Sequence, residues 1–304
     1  MKQSTSLPVY LCDYSAPAYL IDEVRLTFRL APKATRVLSR IVFRRNPEGD
    51  GGPLWLDGEN LDLIAAAIDG EPLTGGDVTR SAEGLSITRD LPERFTWEAE
   101  VEIDPQANTA LEGLYMSGGM YCTQCEPEGF RRITYYPDRP DVMAPFTVRI
   151  EGEAPVMLSN GNPVARGDKF AEWRDPWPKP SYLFALVAGD LVAVADRFTT
   201  MSGREVTLNI YVRPGDEGKA GYAMDALKRS MRWDEEVYGR EYDLEVFNIV
   251  AVDDFNMGAM ENKGLNIFNS KYVLASPDTA TDRDYEAIQP IIAHDYFHNW
   301  TDNS

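Results

Sequence analysis

The chain has 304 residues, a length that at ~150 residues per domain accommodates two domains and a sizeable core. Its apolar share of 43% and charged share of 26% are those of a globular protein and exclude a disordered or collagen-like chain. Asp and Glu number 49 against 30 Lys and Arg, a formal charge of −19, which repels phosphate backbones and argues against a nucleic-acid or anionic-membrane binder.

The opening residues, Met1 to Leu20, contain no apolar core of the secretory kind. No apolar run reaches the ~18 residues that a membrane-spanning helix needs. The first ~190 residues read as mostly β. Val24, Leu26, Phe28 and Leu30 alternate with polar residues, and Phe95 to Ile103 repeats that period of two, as half-buried strands do. Turn-forming clusters at Asn46–Pro53, Gly70–Gly76 and Asn160–Pro163 punctuate the segment. Such spacing predicts a saddle-like sheet or sandwich. The proline-rich stretch Pro176–Pro180 precedes the apolar run Tyr182–Ala188, and the domain boundary is expected near Asp190.

Beyond Arg204 the pattern changes. Glu205–Val212 reads as a strand. Gly218–Gly239 reads as a helix, with Met224, Leu227, Met231 and Tyr238 on one stripe and Gly239 as its stop. The apolar run Leu244–Val252 and the stretch Gly264–Leu274 read as strands. A last helix is expected from Asp282, as N-cap, to about Trp300. Pro290 falls inside it. Either the helix kinks there or it begins at Gln289 with proline at its first position; a kink is the expectation.

Three cysteines, Cys12, Cys122 and Cys125, are too few and too odd in number for a disulfide framework, and point to a reducing, cytoplasmic setting. Cys122 and Cys125 form a C-x-x-C without the second pair of a zinc site or the following helix of a thioredoxin motif, so they read as ordinary thiols. Histidine is more informative. The only two, His294 and His298, stand four apart on the last helix, where i and i+4 share a face. Two imidazoles so placed can grip one Zn²⁺ at ~2.0–2.1 Å. Asp295, next to the first, stands where a carboxylate takes a proton from metal-bound water in the H-E-x-x-H arrangement, with Asp in place of Glu. The plainer alternative is a solvated helical face carrying two ordinary histidines.

Upstream lies Asn256-Met257-Gly258-Ala259-Met260-Glu261-Asn262, between two strand candidates. It resembles the G-A-M-E-N signature of zinc aminopeptidases. Tyr121 to Glu126, followed by Gly129-Phe130-Arg131-Arg132, is similar to a loop of the bacterial aminopeptidase N family, and Tyr182–Asp190 and Lys263–Leu274 also look like that family. The resemblance extends over nearly the whole chain. It implies an α+β protein, with a mostly-β domain over residues 1–190 and an incomplete thermolysin-like catalytic domain over 191–304. It implies a zinc-dependent hydrolase that removes N-terminal residues from peptides. His294 and His298 would bind Zn²⁺ and Asp295 would be the general base. Glu261, Gln124 and Glu126 would hold the substrate's free amine. Met257 would line the pocket for the first side chain, and Gly258, Ala259, Met260 and Asn262 would complete the substrate strand. Glu126 alone would read as a solvated loop carboxylate. A less favoured relative of the same scaffold is an epoxide-hydrolase type, against which Thr123 to Glu126 argues.

Two departures from the family matter. Asp295 is one methylene shorter than the family's Glu, a retreat of ~1.5 Å from the water it would deprotonate, where a 1 Å error costs on the order of 10²-fold. The family's third zinc ligand is a Glu roughly 19 residues beyond the second histidine, past Ser304. The expectation is therefore weak zinc binding and no turnover in these 304 residues, the alternative being an inactive fragment or degenerate homologue that binds only peptide amines or metal. First-residue preference and oligomeric state are not legible.

Overall fold

The computed structural model describes residues 10–301. The alternation at the start of the chain builds the strand Tyr19–Arg29, with Val24, Leu26 and Phe28 buried. It lies at the centre of an eight-stranded sheet. From one edge the order is Asn162–Gly167, Phe170–Lys179, Ala144–Glu151, Tyr19–Arg29, Thr35–Arg45, Arg94–Ile103, Asp62–Ile68 and Glu71–Pro72. Only the pairing of Tyr19–Arg29 with Ala144–Glu151 is parallel in this sheet. Its solvent face carries charge ladders such as Arg36 with Glu100 and Glu102, at 2.9 and 2.7 Å. Half-exposed pairs of this kind set register more than stability.

Beside it are a three-stranded sheet (Trp55–Asp57, Gly84–Ile87, Val78–Arg80) and a four-stranded sheet (Val156–Ser159, Leu186–Gly189, Met120–Gln124, Gly113–Ser117). Phe130, Tyr136, Phe146 and Phe184 pack edge-on or tilted in the shared core, with ring centroids 4.9 to 6.3 Å apart, favourable aromatic geometries. The apolar run after the prolines is a short 3-10 turn, Ser181–Leu183, then the strand Leu186–Gly189.

A second sheet system begins at Val192. Its order is Val192–Thr199, Glu205–Val212, Val246–Val252, Leu265–Asn269 and Ala259–Met260. Glu205–Val212, Val246–Val252 and Leu265–Asn269 run parallel. The helix α1 (Gly221–Tyr238) makes the crossover between the first two, the connection that parallel strands require. Val246–Val252 is buried almost throughout because both faces of the sheet are covered. Val250, Val252, Leu265, Ile267 and Met260 join the core of the first domain, whereas Leu208, Ile210, Phe247 and Ile249 pack under α1 and the helix α2 (Asp282–Thr301).

Gly239 ends α1 in the left-handed conformation, φ +64°, as a glycine C-cap does. Tyr238 is not on the buried stripe: it is half exposed and stacks against Trp233 and Phe297. The predicted strand Gly264–Leu274 is shorter, Leu265–Asn269, and continues as a 3-10 turn. The cap of α2 is Thr281 rather than Asp282: Asp284 Oδ2 accepts from Thr281 N at 2.7 Å and from Thr281 Oγ1 at 2.8 Å, the carboxylate half of a capping box. The helix does not begin at Gln289; it is continuous through Pro290. Pro290 and Glu286 both face solvent, so water reaches the carbonyl that proline leaves without a partner. None of the described helices is long and apolar enough to cross a membrane.

Candidate active site

The histidine pair lies near the C-terminal end of α2. Ile288, Ile292 and Tyr296 bury one side of the helix, which turns His294 to solvent and leaves His298 half-buried. The two rings meet edge to face at 4.6 Å between centroids, and their Nε2 atoms are 3.0 Å apart. Two nitrogens on a tetrahedral Zn²⁺ stand about 3.3 Å apart at ~2.05 Å bond lengths. The 3.0 Å separation of the two Nε2 atoms is close to that spacing. Thr301 Oγ1 lies 3.5 Å from His298 Nδ1, the position from which a ligand ring is oriented. Among the described residues no cluster of three or more His, Cys, Asp or Glu side chains is arranged to hold a metal.

Asp295, the residue after His294, is buried. It is 5% exposed and its Oδ2 has no hydrogen-bond partner. Burial, and then the nearby charge of Glu261, push its carboxyl up to about 8. Glu261 thus lies within electrostatic range of Asp295 on α2. A divalent cation on the adjacent imidazoles would pull this pKa back down.

Glu261 follows the two-residue strand Ala259–Met260, which pairs antiparallel with Leu265–Asn269. That strand is the edge strand of its sheet, the position at which an extended peptide adds as a further strand. Gly258 is tight against the Tyr272 ring, from which a Cβ there would sit 3.3 Å, and Ile291 Cδ1 of α2 is in ordinary contact range at 3.8 Å. Its carbonyl accepts from Asn269 N at 2.9 Å. Ala259 is half-buried, but Met260 is fully buried in the first-domain core, and Asn262 is 2% exposed with its amide turned back on the Met260 carbonyl at 3.4 Å. These two hold the loop's shape from beneath.

The first domain reaches this loop through the hairpin Gly113–Ser117/Met120–Gln124. Gln124 is 1% exposed. Its Nε2 donates to Met257 Sδ at 3.1 Å and to the Glu126 carbonyl at 3.3 Å, and its Oε1 is buried with no partner. A buried amide oxygen without a donor carries a desolvation cost that a ligand N–H would remove. Met257 is 41% exposed beside it, and Glu126 is half-buried. Glu261 and Glu126 bring two carboxylates to the loop ends, with the Asp295 carboxyl, its pKa raised, buried on α2. Cys122 and Cys125 are free and buried, and burial pushes the Cys122 thiol up to about 12 and the Cys125 thiol upward. They are unreactive packing groups. A concavity of about 500 Å³ on the solvent face of the eight-stranded sheet, lined by Leu38, Ala65, Ala67, Arg40 and Glu98, contains none of these residues.

Sequence reasoning missed the contacts that hold the loop from the first domain: Ser117 with Asp254, and Asn160 with Lys263. Each joins residues more than a hundred positions apart, and the only local signal was the Gly118-Gly119 turn.

Residues 25–183 match the Peptidase M1 N-terminal domain, and residues 222–304 match the Peptidase family M1 domain. The chain is 58% identical over its whole length to an Aminopeptidase N of Caulobacter vibrioides. It is 55% identical over 97% of its length to an Aminopeptidase N of Escherichia coli. It spans 36% and 34% of those proteins, about a third of the length of each. Among solved structures, Legionella pneumophila aminopeptidase A, crystallised in complex with aspartic acid, superposes with a TM-score of 0.90 at 34% identity. That likeness covers 95% of this chain and 35% of the other. With both domain descriptions matched and the architecture shared, the chain belongs to the peptidase M1 family.

Proposed function

We propose that these residues form the amine-binding and metal-gripping part of a zinc aminopeptidase acting on peptides with a free N-terminus. One observation carries the reading. The partnerless buried Oε1 of Gln124 and the carboxylates of Glu126 and Glu261 belong to the loops around the histidine pair. An α-ammonium brings N–H donors to the Gln124 oxygen and a positive charge to the two carboxylates. An acylated or internal amide supplies neither, so the pocket favours the first residue of a chain.

His294 and His298 would hold Zn²⁺, which when bound supplies Lewis acidity toward the scissile carbonyl and an acidified water. Glu261, Glu126 and Gln124 Oε1 hold the ammonium. The edge strand at Ala259 aligns the peptide backbone as an added strand, and Met257 flanks the first side chain. Asp295 accepts the proton of the attacking water, from one methylene further away than a Glu would. With two imidazoles as the only cluster ligands among the described residues, the 304-residue polypeptide alone binds zinc weakly and does not turn over. The free thiols fit a reducing compartment, and we assign the chain to the cytoplasm on that ground.

The test is a chimera in which this chain replaces the matching third of the Caulobacter vibrioides relative. Chelator-sensitive release of p-nitroaniline from alanine p-nitroanilide, and none from its N-acetyl derivative, is the expected result. Equal rates on both substrates would overturn the assignment of the amine pocket.

A further inference from the structure

The segment 253–264 carries Met257 and Glu261, yet only Ala259–Met260 within it is strand. The rest depends on contacts from outside its own sheet, and the first domain supplies them at both ends. At the start, Ser117 Oγ donates to Asp254 Oδ2 at 2.8 Å and accepts from Asp254 N at 3.3 Å, while Tyr115 Oη donates to the Asp254 carbonyl at 3.1 Å. Ser117 and Tyr115 are fully buried. Their strand, Gly113–Ser117, turns into Met120–Gln124 through Gly118-Gly119, with φ of +52° and +86°, the two-residue hairpin geometry that favours glycine. A Cβ at Gly118 would lie 2.4 Å from the Arg213 guanidinium, whose Nε is 3.2 Å from Asp253 Oδ2. At the far end, Asn160 Nδ2 donates to the Lys263 carbonyl at 3.0 Å and to that of Leu183 at 2.9 Å.

The same hairpin that grips Asp254 ends in Gln124, the amide bonded to Met257. One rigid element thus sets two walls of the pocket at once. We propose that Ser117, acting through Asp254, is a positioning residue that fixes the loop 253–262 against the first domain and so sets its affinity for an amine. The proposal rests on the amine-anchor reading for its second half only.

The experiment uses native-state hydrogen exchange on the 304-residue chain. In Ser117→Ala and in Asp254→Ala, amides of 255–262 are expected to exchange at least about threefold faster, the effect of one lost hydrogen bond. The double variant should be no faster than Ser117→Ala, which already removes both Ser117 bonds to Asp254. Asp254→Asn, whose amide oxygen still accepts from Ser117, should keep the protection. Affinity for L-alaninamide should fall in step in Ser117→Ala and persist in Asp254→Asn. Unchanged exchange in 255–262, or an equal rise in the core strand Val246–Val252, would overturn the anchor. Faster exchange with unaltered amine affinity would overturn the positioning role. No binding of L-alaninamide by the unmodified chain, with the exchange pattern intact, would sink the amine reading and leave the anchor standing.

Discussion

The Nε2 atoms of His294 and His298 face each other at 3.0 Å across one turn of α2. Neither nitrogen has to travel far to share an ion, so the fold has already met the ordering cost of the pair. The 304-residue chain should bind one Zn²⁺, and His294→Ala or His298→Ala should each weaken it by at least about tenfold, since even losing an outer partner of a ligand costs that much. Isothermal titration with zinc checks this. Affinity unchanged from the parent chain in either variant would place the ion elsewhere.

Asp295 is buried beside the pair rather than spread over it. Lengthening it restores reach of about 1.5 Å. Asp295→Glu in the chimera should raise kcat at least about tenfold with little change in KM, because the gain arises only in the transition state. Identical kcat values would show that reach is not what limits proton transfer.

Lys179 and Asp175 form an ion pair at 3.1 Å, both 1% exposed or less, with the ammonium 4.0 Å above the Phe146 ring. Burial holds the Lys179 pKa below its ordinary value. Lys179→Met strands a buried carboxylate and should cost about 3–5 kcal/mol in urea unfolding. Lys179→Met with Asp175→Asn should recover most of that. A single variant within 1 kcal/mol of the parent, on the order of a surface pair, would contradict the account.

Asp234 on α1 is 2% exposed with Oδ2 unpartnered, and burial pushes its carboxyl up to about 6. The folded state therefore holds this proton more tightly than the unfolded chain, whose value is about 3.9. Its contribution is most favourable below pH ~4 and is lost as pH rises through ~6. Asp234→Asn should remove that slope, so the stability difference from the parent should move in the variant's favour by on the order of 2 kcal/mol between pH 4 and 7. A difference that does not vary with pH would refute the shift.

Periodicity was enough for the long elements. Val24, Leu26 and Phe28 alternate because one face of their strand is buried. Val246–Val252 is apolar but for Asn248 because its sheet is covered on both sides, and Gly239 stops α1 through a conformation glycine favours. The histidine spacing was legible for the same reason, since a helix turns the number four into a shared face. Contacts between distant positions were not. Nothing local links Ser117 to Asp254, 137 residues away, or Asn160 to Lys263, 103 away. The burial of Asp295 was equally invisible, because spacing gives the side of a helix but not what packs against it. Tyr238 shows the converse: its spacing fits the apolar stripe, yet it lies at the last turn of α1 where the cover ends.

The most direct test of the central claim is whether this chain recognises a free amino end at Glu261. In a titration followed by NMR, L-alaninamide should shift the resonances of Gln124 and of the loop 255–262, N-acetyl-L-alaninamide should not, and Glu261→Gln should abolish the response. Equal shifts from both compounds, or an undiminished response in Glu261→Gln, would contradict it.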